Sequence, residues 1–245
     1  VKQMEHRIEK EIQMKQGLLQ DIETPVDLKI MPLKHHKNVL VSAYEYGLMY
    51  EDATEKLFDG LRFELKQGDR LFLTGENGCG KTSLIKQIMK KVKENQKEGT
   101  SEQAEGRKES AMIENGTLSV ASGLVISYIN QDTSFLKGSI KDYCRKNGLD
   151  ESLFCAILRQ LDMDRIQFLK NMEDFSEGQK KKVLVAASLL TPAHLYIWDE
   201  PLNYIDVFSR MQIENLLLTY QPTMLIVDHD VRFREKIATG IISLK

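Results

Sequence analysis

Between Arg70 and Met89 the chain reads RLFLTGENGCGKTSLIKQIM, and no other stretch limits the possible folds as tightly. Gly75, Gly80, Lys81 and Thr82 fit the spacing GxxxxGK(S/T) of a phosphate-binding loop. Its surroundings are the ones such a loop needs. Arg70 to Thr74 is a short apolar run that reads as a strand. Gly75, Gly78 and Gly80 supply the backbone freedom of a wrapped turn. Leu84, Ile85 and Ile88 then fall at helical spacing, so a helix is expected from Thr82. Amide groups at a helix N-terminus point at an anion, and the helix dipole favours negative charge there. Lys81 adds a full positive charge for β- and γ-phosphates, and the Thr82 hydroxyl suits a Mg²⁺ ion.

Size and composition set outer bounds on what surrounds this loop. With 245 residues the chain suits one α/β domain with an attachment. Hydrophobic residues make up 42% and charged residues 29%, an ordinary soluble balance. No apolar run approaches the roughly 18 residues of a membrane span. The opening residues are charged throughout, so no secretory leader is expected. Cys79, Cys144 and Cys155 show neither metal nor disulfide spacing, which fits a reducing cytoplasm. The net charge of −2 means that any nucleic-acid contact must come from local patches or from parts beyond this sequence. The chain starts at Val1 inside a helical pattern, as a fragment of a longer protein would, or a chain with a processed tag.

Taken in order, Val1 to Gln20 carries Met4, Ile8 and Ile12 on one thin stripe of an otherwise charged helix, a linker or coiled-coil arm. Pro25 and Pro32 break that helix. The cluster Lys34, His35, His36 and Lys37 reads as a solvated turn, because side chains on consecutive residues rarely converge on a metal. Val39 to Tyr46 and Leu57 to Leu65 read as strands. Tyr50 lies 25 residues before Gly75, where its ring could stack on an adenine; Tyr46 and Tyr44 are rivals, and a core-facing strand aromatic is the competing reading. Lys90 to Glu109 is polar and charged, so a mobile excursion is expected. Gly116 to Ile129 returns to strand character and ends at Gln131. Gly138 to Lys170 reads as mostly helical, with Asp150 capping a helix that carries Leu153, Phe154, Ile157, Leu158 and Leu161.

Three further segments carry chemistry. In FSEGQKKKV, Phe175 to Val183, Ser176 and Gly178 precede a helix, a second anion-suited N-terminus far from the first in sequence; Lys180 to Lys182 read as a solvated face. His194 to Trp198 is an apolar strand ending in Asp199, Glu200 and Pro201. An acidic pair at the C-terminal end of a buried parallel strand is where an α/β fold places its chemistry. Asp199 would hold Mg²⁺, and Glu200 would deprotonate an attacking water. Thr223 to Val227 is another strand, and His229 beyond it would reach the γ-phosphate from the same sheet edge. Thr239 to Leu244 closes the sheet.

GENGCGKT, Gln131, FSEGQ, YIWDEP, LNYID and His229 appear in the order and spacing of an ATP-binding-cassette nucleotide-binding domain. They resemble its Walker A, Q-loop, signature, Walker B, D-loop and H-loop, over nearly all of Val39 to Lys245. The resemblance implies an α/β fold: a P-loop NTPase core with a mainly parallel sheet, an antiparallel β layer and an inserted helical subdomain at about residues 132–175. Residues 1–38 would be linker helix and connector, and 39–245 the cassette. It implies ATP and Mg²⁺ as ligands. Tyr50, Gly75, Glu76, Asn77, Gly78, Cys79, Gly80, Lys81, Thr82 and Ser83 would bind nucleotide. Glu200, His229, Gln131 and Lys81 would be catalytic, and Thr82, Gln131 and Asp199 would ligate the metal. Ser176, Gly178 and Gln179 would complete the site of a second cassette, in the same polypeptide or in a homodimer. Phe175 and Glu177 depart from the usual LSGGQ signature, and Glu177 adds negative charge near the γ-phosphate.

The signature followed by IWDEPLNYIDVFSRMQIENLL resembles the ABC-F branch, in which two cassettes are fused without membrane domains. It is similar in particular to members that protect the ribosome against lincosamides, streptogramin A and pleuromutilins. The resemblance implies that this chain is the second cassette of a cytoplasmic protein and that its partner is the ribosome and its rRNA. The alternative is the ATPase subunit of a membrane transporter.

Overall fold

The structure is a computed structural model that describes residues 28–52, 54–97 and 112–245. The expected linker helix at Val1 to Gln20, the break at Pro25 and most of the expected excursion lie outside the described residues. In chain order the elements are β1 (Val39–Tyr50), β2 (Lys56–Lys66), β3 (Arg70–Thr74), α1 (Lys81–Lys97), β4 (Met112–Val120) and β5 (Ile126–Ile129). There follow α2 (Ile140–Asn147), α3 (Glu151–Gln160), two 3₁₀ turns (Arg165–Leu169 and Met172–Asp174), α4 (Glu177–Leu190) and β6 (Leu195–Asp199). The chain closes with α5 (Val207–Tyr220), β7 (Met224–Val227), α6 (Val231–Ile237) and β8 (Gly240–Ser243).

A five-stranded parallel sheet in the order β5-β6-β7-β3-β8 forms the centre, and an antiparallel sheet in the order β2-β1-β4 lies beside it. This is the expected α/β architecture. The central strands are short runs buried on both faces, as a covered parallel sheet requires. Their alternation sorts side chains between two cores. Leu71, Leu73, Leu195, Ile197, Leu225 and Val227 face the antiparallel sheet and the inner side of α1. Phe72, Tyr196, Trp198, Met224 and Ile226 face the opposite core, shared with α2, α3, α4 and α5. Each face of the sheet therefore anchors a different layer.

The structure corrects three readings. The stretch Gly116 to Ile129 is not one strand. A turn at Gly123, whose φ is +73°, separates β4 in the antiparallel sheet from β5 in the parallel one. The region from Lys90 is not an excursion at its start, because α1 continues to Lys97 with Val92 buried. Lys, Glu and Gln are good helix formers, and one apolar seam is enough to seat such a segment. The lysines at 181 and 182 are not a solvated face: they are 3% and 8% exposed.

The segment before β1 docks onto the sheet. Pro32 bridges to Ala193, and Leu33 N–H donates to Ala193 O at 2.8 Å. The His35 ring, expected in a solvated turn, packs edge-on to His194 with centroids 5.1 Å apart and lies 3.0 Å from the Ser122 carbonyl through Nε2. The helical region is capped as expected at Asp150, which accepts from Leu153 N–H at 2.8 Å.

Candidate functional site

The parallel strands β3, β6 and β7 all end on one edge of the sheet, and each releases a loop with a polar side chain there. β3 runs into the loop 75–80. Gly75, Gly78 and Gly80 have φ of +153°, +86° and +95°, all left-handed. Gly80 is also tightly packed: a Cβ there would stand 3.0 Å from Leu57 Cβ and 3.1 Å from Phe58. The loop thus wraps ahead of a helix N-terminus, a backbone suited to an anion, with the Cys79 amide closing a turn onto Glu76 O at 3.3 Å, and α1 begins at Lys81. Lys81 Nζ donates to the carbonyls of Gly75 and Glu76 at 2.8 and 2.9 Å, so the ammonium is folded over its own loop.

Thr82 Oγ1 donates to Asp199 Oδ2 at 3.1 Å, joining the start of α1 to the end of β6. Asp199 is 1% exposed, and burial pushes its carboxyl above the usual range against the pull of Thr82, while the neighbouring Glu200 pushes the same way as burial. Two oxygens in contact beside an anion-suited loop form the hard donor set that Mg²⁺ prefers. A Mg²⁺-triphosphate therefore fits the residues present.

Glu200 stands next in a left-handed backbone conformation, φ +51°. Its amide is tied to Val227 O at 2.8 Å. Three side chains surround its carboxylate. Gln131 Nε2 donates to Oε2 at 2.9 Å, Asn203 Nδ2 donates to the same oxygen at 2.8 Å, and His229 Nε2 lies 3.3 Å from Oε1. β5 brings Gln131, the turn after Glu200 brings Asn203, and β7 brings His229. Sequence reasoning missed Asn203; its place three residues after Glu200, in a turn following Pro201, was the available signal.

Tyr50, Asn77, Gly78, Gly80, Lys81, Thr82, Ser83, Gln131 and Glu200 line one cleft of about 330 Å³. The Tyr50 hydroxyl is 3.2 Å from Ser83 Oγ at its edge. Tyr46 is fully buried and donates to Glu114 Oε2 at 3.0 Å, so it cannot reach a ligand. Tyr44 lies under the Arg62 guanidinium, 5.0 Å from the ring centre. Of the three tyrosines, Tyr50 is the one at the cleft. Cys79 is half-buried, with its sulfur 2.5 Å from where a Cβ on Gly75 would stand.

Ser176, Gly178 and Gln179 are not among the residues that line this cleft. Ser176 caps α4 and forms a reciprocal box with Gln179: Gln179 N–H donates to Ser176 Oγ at 3.3 Å, and Ser176 N–H to Gln179 Oε1 at 3.0 Å. Gly178 packs on the D-loop, where a Cβ would meet Tyr204 O at 2.4 Å. The Glu177 carboxylate accepts from Thr133 Oγ1 at 2.7 Å and from Lys180 Nζ at 3.0 Å, which holds it below its ordinary range.

Comparison with known proteins places these features among relatives. A family model described as "ABC transporter" matches residues 58–203. The chain is 28% identical over 215 residues to the "Putative ATP-binding protein YdiF" of Bacillus subtilis, covering 86% of this chain and 30% of that protein. It is 32% identical over 177 residues to the "ATP-binding protein Uup" of Buchnera aphidicola, covering 69% and 26% respectively. Over 199 residues it is 25% identical to the "ATP-binding protein Uup" of Escherichia coli, covering 78% and 28%. The chain thus spans less than a third of the length of these three relatives. A solved structure titled "Structure of ATP binding subunit of ABC transporter" superposes with a TM-score of 0.61 at 20% identity, over 84% of this chain and 85% of that one. No helix among the described residues is long and apolar enough to cross a membrane.

Proposed function

We propose that this chain, which belongs to the ABC transporter family of P-loop ATPases, is one ATP-hydrolysing cassette of an ABC-F protein that acts on the ribosome. The observation that carries the ATPase part is the convergence at Glu200. A carboxylate beside the phosphate loop, held by Gln131, Asn203 and His229, is a general base aimed by three neighbours. In this reading the amides of 75–80 and Lys81 cradle the phosphates, which requires Lys81 Nζ to exchange its loop carbonyls for phosphate oxygens. Thr82 and Asp199 would hold the Mg²⁺, whose charge offsets that of the β- and γ-oxygens. Glu200 takes the proton of a water in line with the γ-phosphate. Gln131 and His229 orient that carboxylate and the transferred group. Tyr50 stacks on the base.

Ser176, Gly178 and Gln179 lie on a separate element, so they serve a nucleotide held by a second cassette. Relatives more than three times the matched length leave room for that cassette in the same polypeptide. In the same reading residues 1–38 connect the two cassettes and 39–245 are the second of them, with the helical part at about 132–175. Ribosome protection against antibiotics rests on the resemblance of FSEGQKKKV and the D-loop segment.

The transporter-subunit reading draws on one observation: Ile166 and Leu169, 70% and 89% exposed, offer an apolar surface on the helical region. Fractionation of the full-length protein carrying Glu200→Gln, with ATP, separates the two. Recovery with ribosomes supports the proposal, and recovery with membranes overturns its ribosomal part.

A further inference from the structure

Lys181 and Glu177 lie one helical turn apart at the start of α4, and both reach across to the loop that follows β5. Lys181 is 3% exposed, and its Nζ donates to the backbone carbonyls of Asn130 at 3.3 Å and Gln131 at 3.2 Å. A buried ammonium needs such acceptors, because desolvation penalises an unpaired charge. Burial pushes its pKa down, and Asp199, Glu200, Glu177 and Asp132 hold it up. Glu177 takes the Thr133 hydroxyl at 2.7 Å, and Thr133 is itself 5% exposed. A carboxylate in the first turn of a helix is well placed towards a bare N-terminus. Here it is turned instead onto the loop and onto Lys180.

We propose that Glu177 and Lys181 form a two-point strut that locks the N-terminus of α4 to the loop 130–133, so that the element serving a second cassette's nucleoside triphosphate moves as one body with Gln131 and Glu200. The inference rests on the two-cassette reading above and adds a path within it. From α4 the path runs through Thr133 and the carbonyls of Asn130 and Gln131, then through Gln131 Nε2 to Glu200 Oε2 at 2.9 Å. Two attachments, Lys181 at the carbonyls of Asn130 and Gln131 and Glu177 at Thr133, prevent the loop from pivoting about either. The strut also accounts for the departure of Glu177 from the common signature: its carboxylate is hydrogen-bonded by Thr133 and paired with Lys180 rather than presented to phosphate. Lys181, Glu177 and Thr133 are positioning residues in this scheme, since none reaches the cleft.

The test is hydrogen exchange on the intact polypeptide that carries this cassette, with and without MgATP, together with steady-state ATPase. In the unaltered protein the amides of 130–133 and of 176–180 should gain protection together. In Thr133→Val, in Glu177→Ala and in Lys181→Met the two segments should separate by about tenfold or more in exchange rate, with kcat falling by a similar factor and ATP cooperativity lost. Protection of 75–83 by MgATP should be unchanged in all three. Lys181→Arg should restore the joint behaviour. Thr133→Val and Glu177→Ala break the same contact, so together they should cost no more than either alone. If Lys181→Met does not fold, the Thr133 and Glu177 variants carry the test. Joint protection that survives in Thr133→Val and Glu177→Ala overturns the strut. So does a loss of protection at 75–83 equal to the loss in kcat. An unaltered protein in which 75–83 gains no protection from MgATP overturns the parent reading, a result distinct from either.

Discussion

Thr82 Oγ1 rests 3.1 Å from Asp199 Oδ2, across 117 positions of sequence. The bond spans the gap between the first turn of one helix and the last residue of a buried strand. Its acceptor is a carboxylate that burial raises in pKa. A group with a raised folded pKa contributes stability that is complete below its unfolded value and is lost as pH rises through the folded one. At pH 7 without metal, Asp199 is therefore a cost to the fold. Asp199→Asn should stabilise the metal-free protein at pH 7 while removing MgATP hydrolysis. The gain should shrink as pH falls through the carboxylate range, which urea denaturation at a series of pH values checks. A variant equally or less stable at pH 7 would show that Thr82 outweighs the burial.

Glu200→Gln keeps the size and the acceptor oxygen that Gln131 and Asn203 address. It removes the base. ATP hydrolysis should fall by about 10²–10⁴-fold with ATP affinity intact. Single-turnover rates and equilibrium binding of a fluorescent ATP analogue measure the two separately. A parallel loss of affinity would mean that Glu200 holds the nucleotide rather than the water.

Tyr50 stands at the cleft with its hydroxyl on Ser83. Loss of one base–aromatic stack costs about 1–3 kcal/mol, so Tyr50→Ala should weaken ATP binding by roughly five- to 150-fold. Tyr50→Phe should bind nearly as the parent does, because the ring face survives. Isothermal titration with ATP and with a triphosphate lacking the base decides: the second ligand should be indifferent to either change.

Gly178 has no space for a side chain, since a Cβ would lie 2.4 Å from Tyr204 O. Gly178→Ala should destabilise by about 1–3 kcal/mol, the usual cost of forced overpacking. The helical preference of alanine recovers part of that. Denaturant midpoints give the number. An unchanged midpoint would show that the D-loop turn shifts freely.

Trp198, the only tryptophan, is fully buried, and its Nε1 donates to Ser188 Oγ at 2.9 Å. Its ring belongs to the core on the α4 side of the sheet. Its emission maximum should stay in place when ATP binds. A red shift on titration would mean that β6 opens to water during binding.

The residues of the cleft were legible because their spacing is a property of the backbone. Lys81 and Thr82 must follow a glycine turn, and Asp199 and Glu200 must end a buried strand; local sequence carries both requirements. The rest depended on what meets what in space. Lys181 reads as surface because lysines usually are; only the fold brings the carbonyls of Asn130 and Gln131 within its reach. The separation of β4 from β5 was signalled by Ala121, Ser122 and Gly123, but similar apolar content on both sides masked a change of sheet. The extent of α1 was hidden for the opposite reason. Its second half is polar enough to pass for a loop, and a single seam through Val92 seats it.

The close approach of Gly178 to Tyr204 has a mechanical reading. Tyr204 is 79% exposed while its carbonyl occupies the space beside Gly178 that a Cβ would need. A neighbour that presses on the ring pushes a rigid pawl against a toothed wheel, with no soft side chain between them to absorb the stroke.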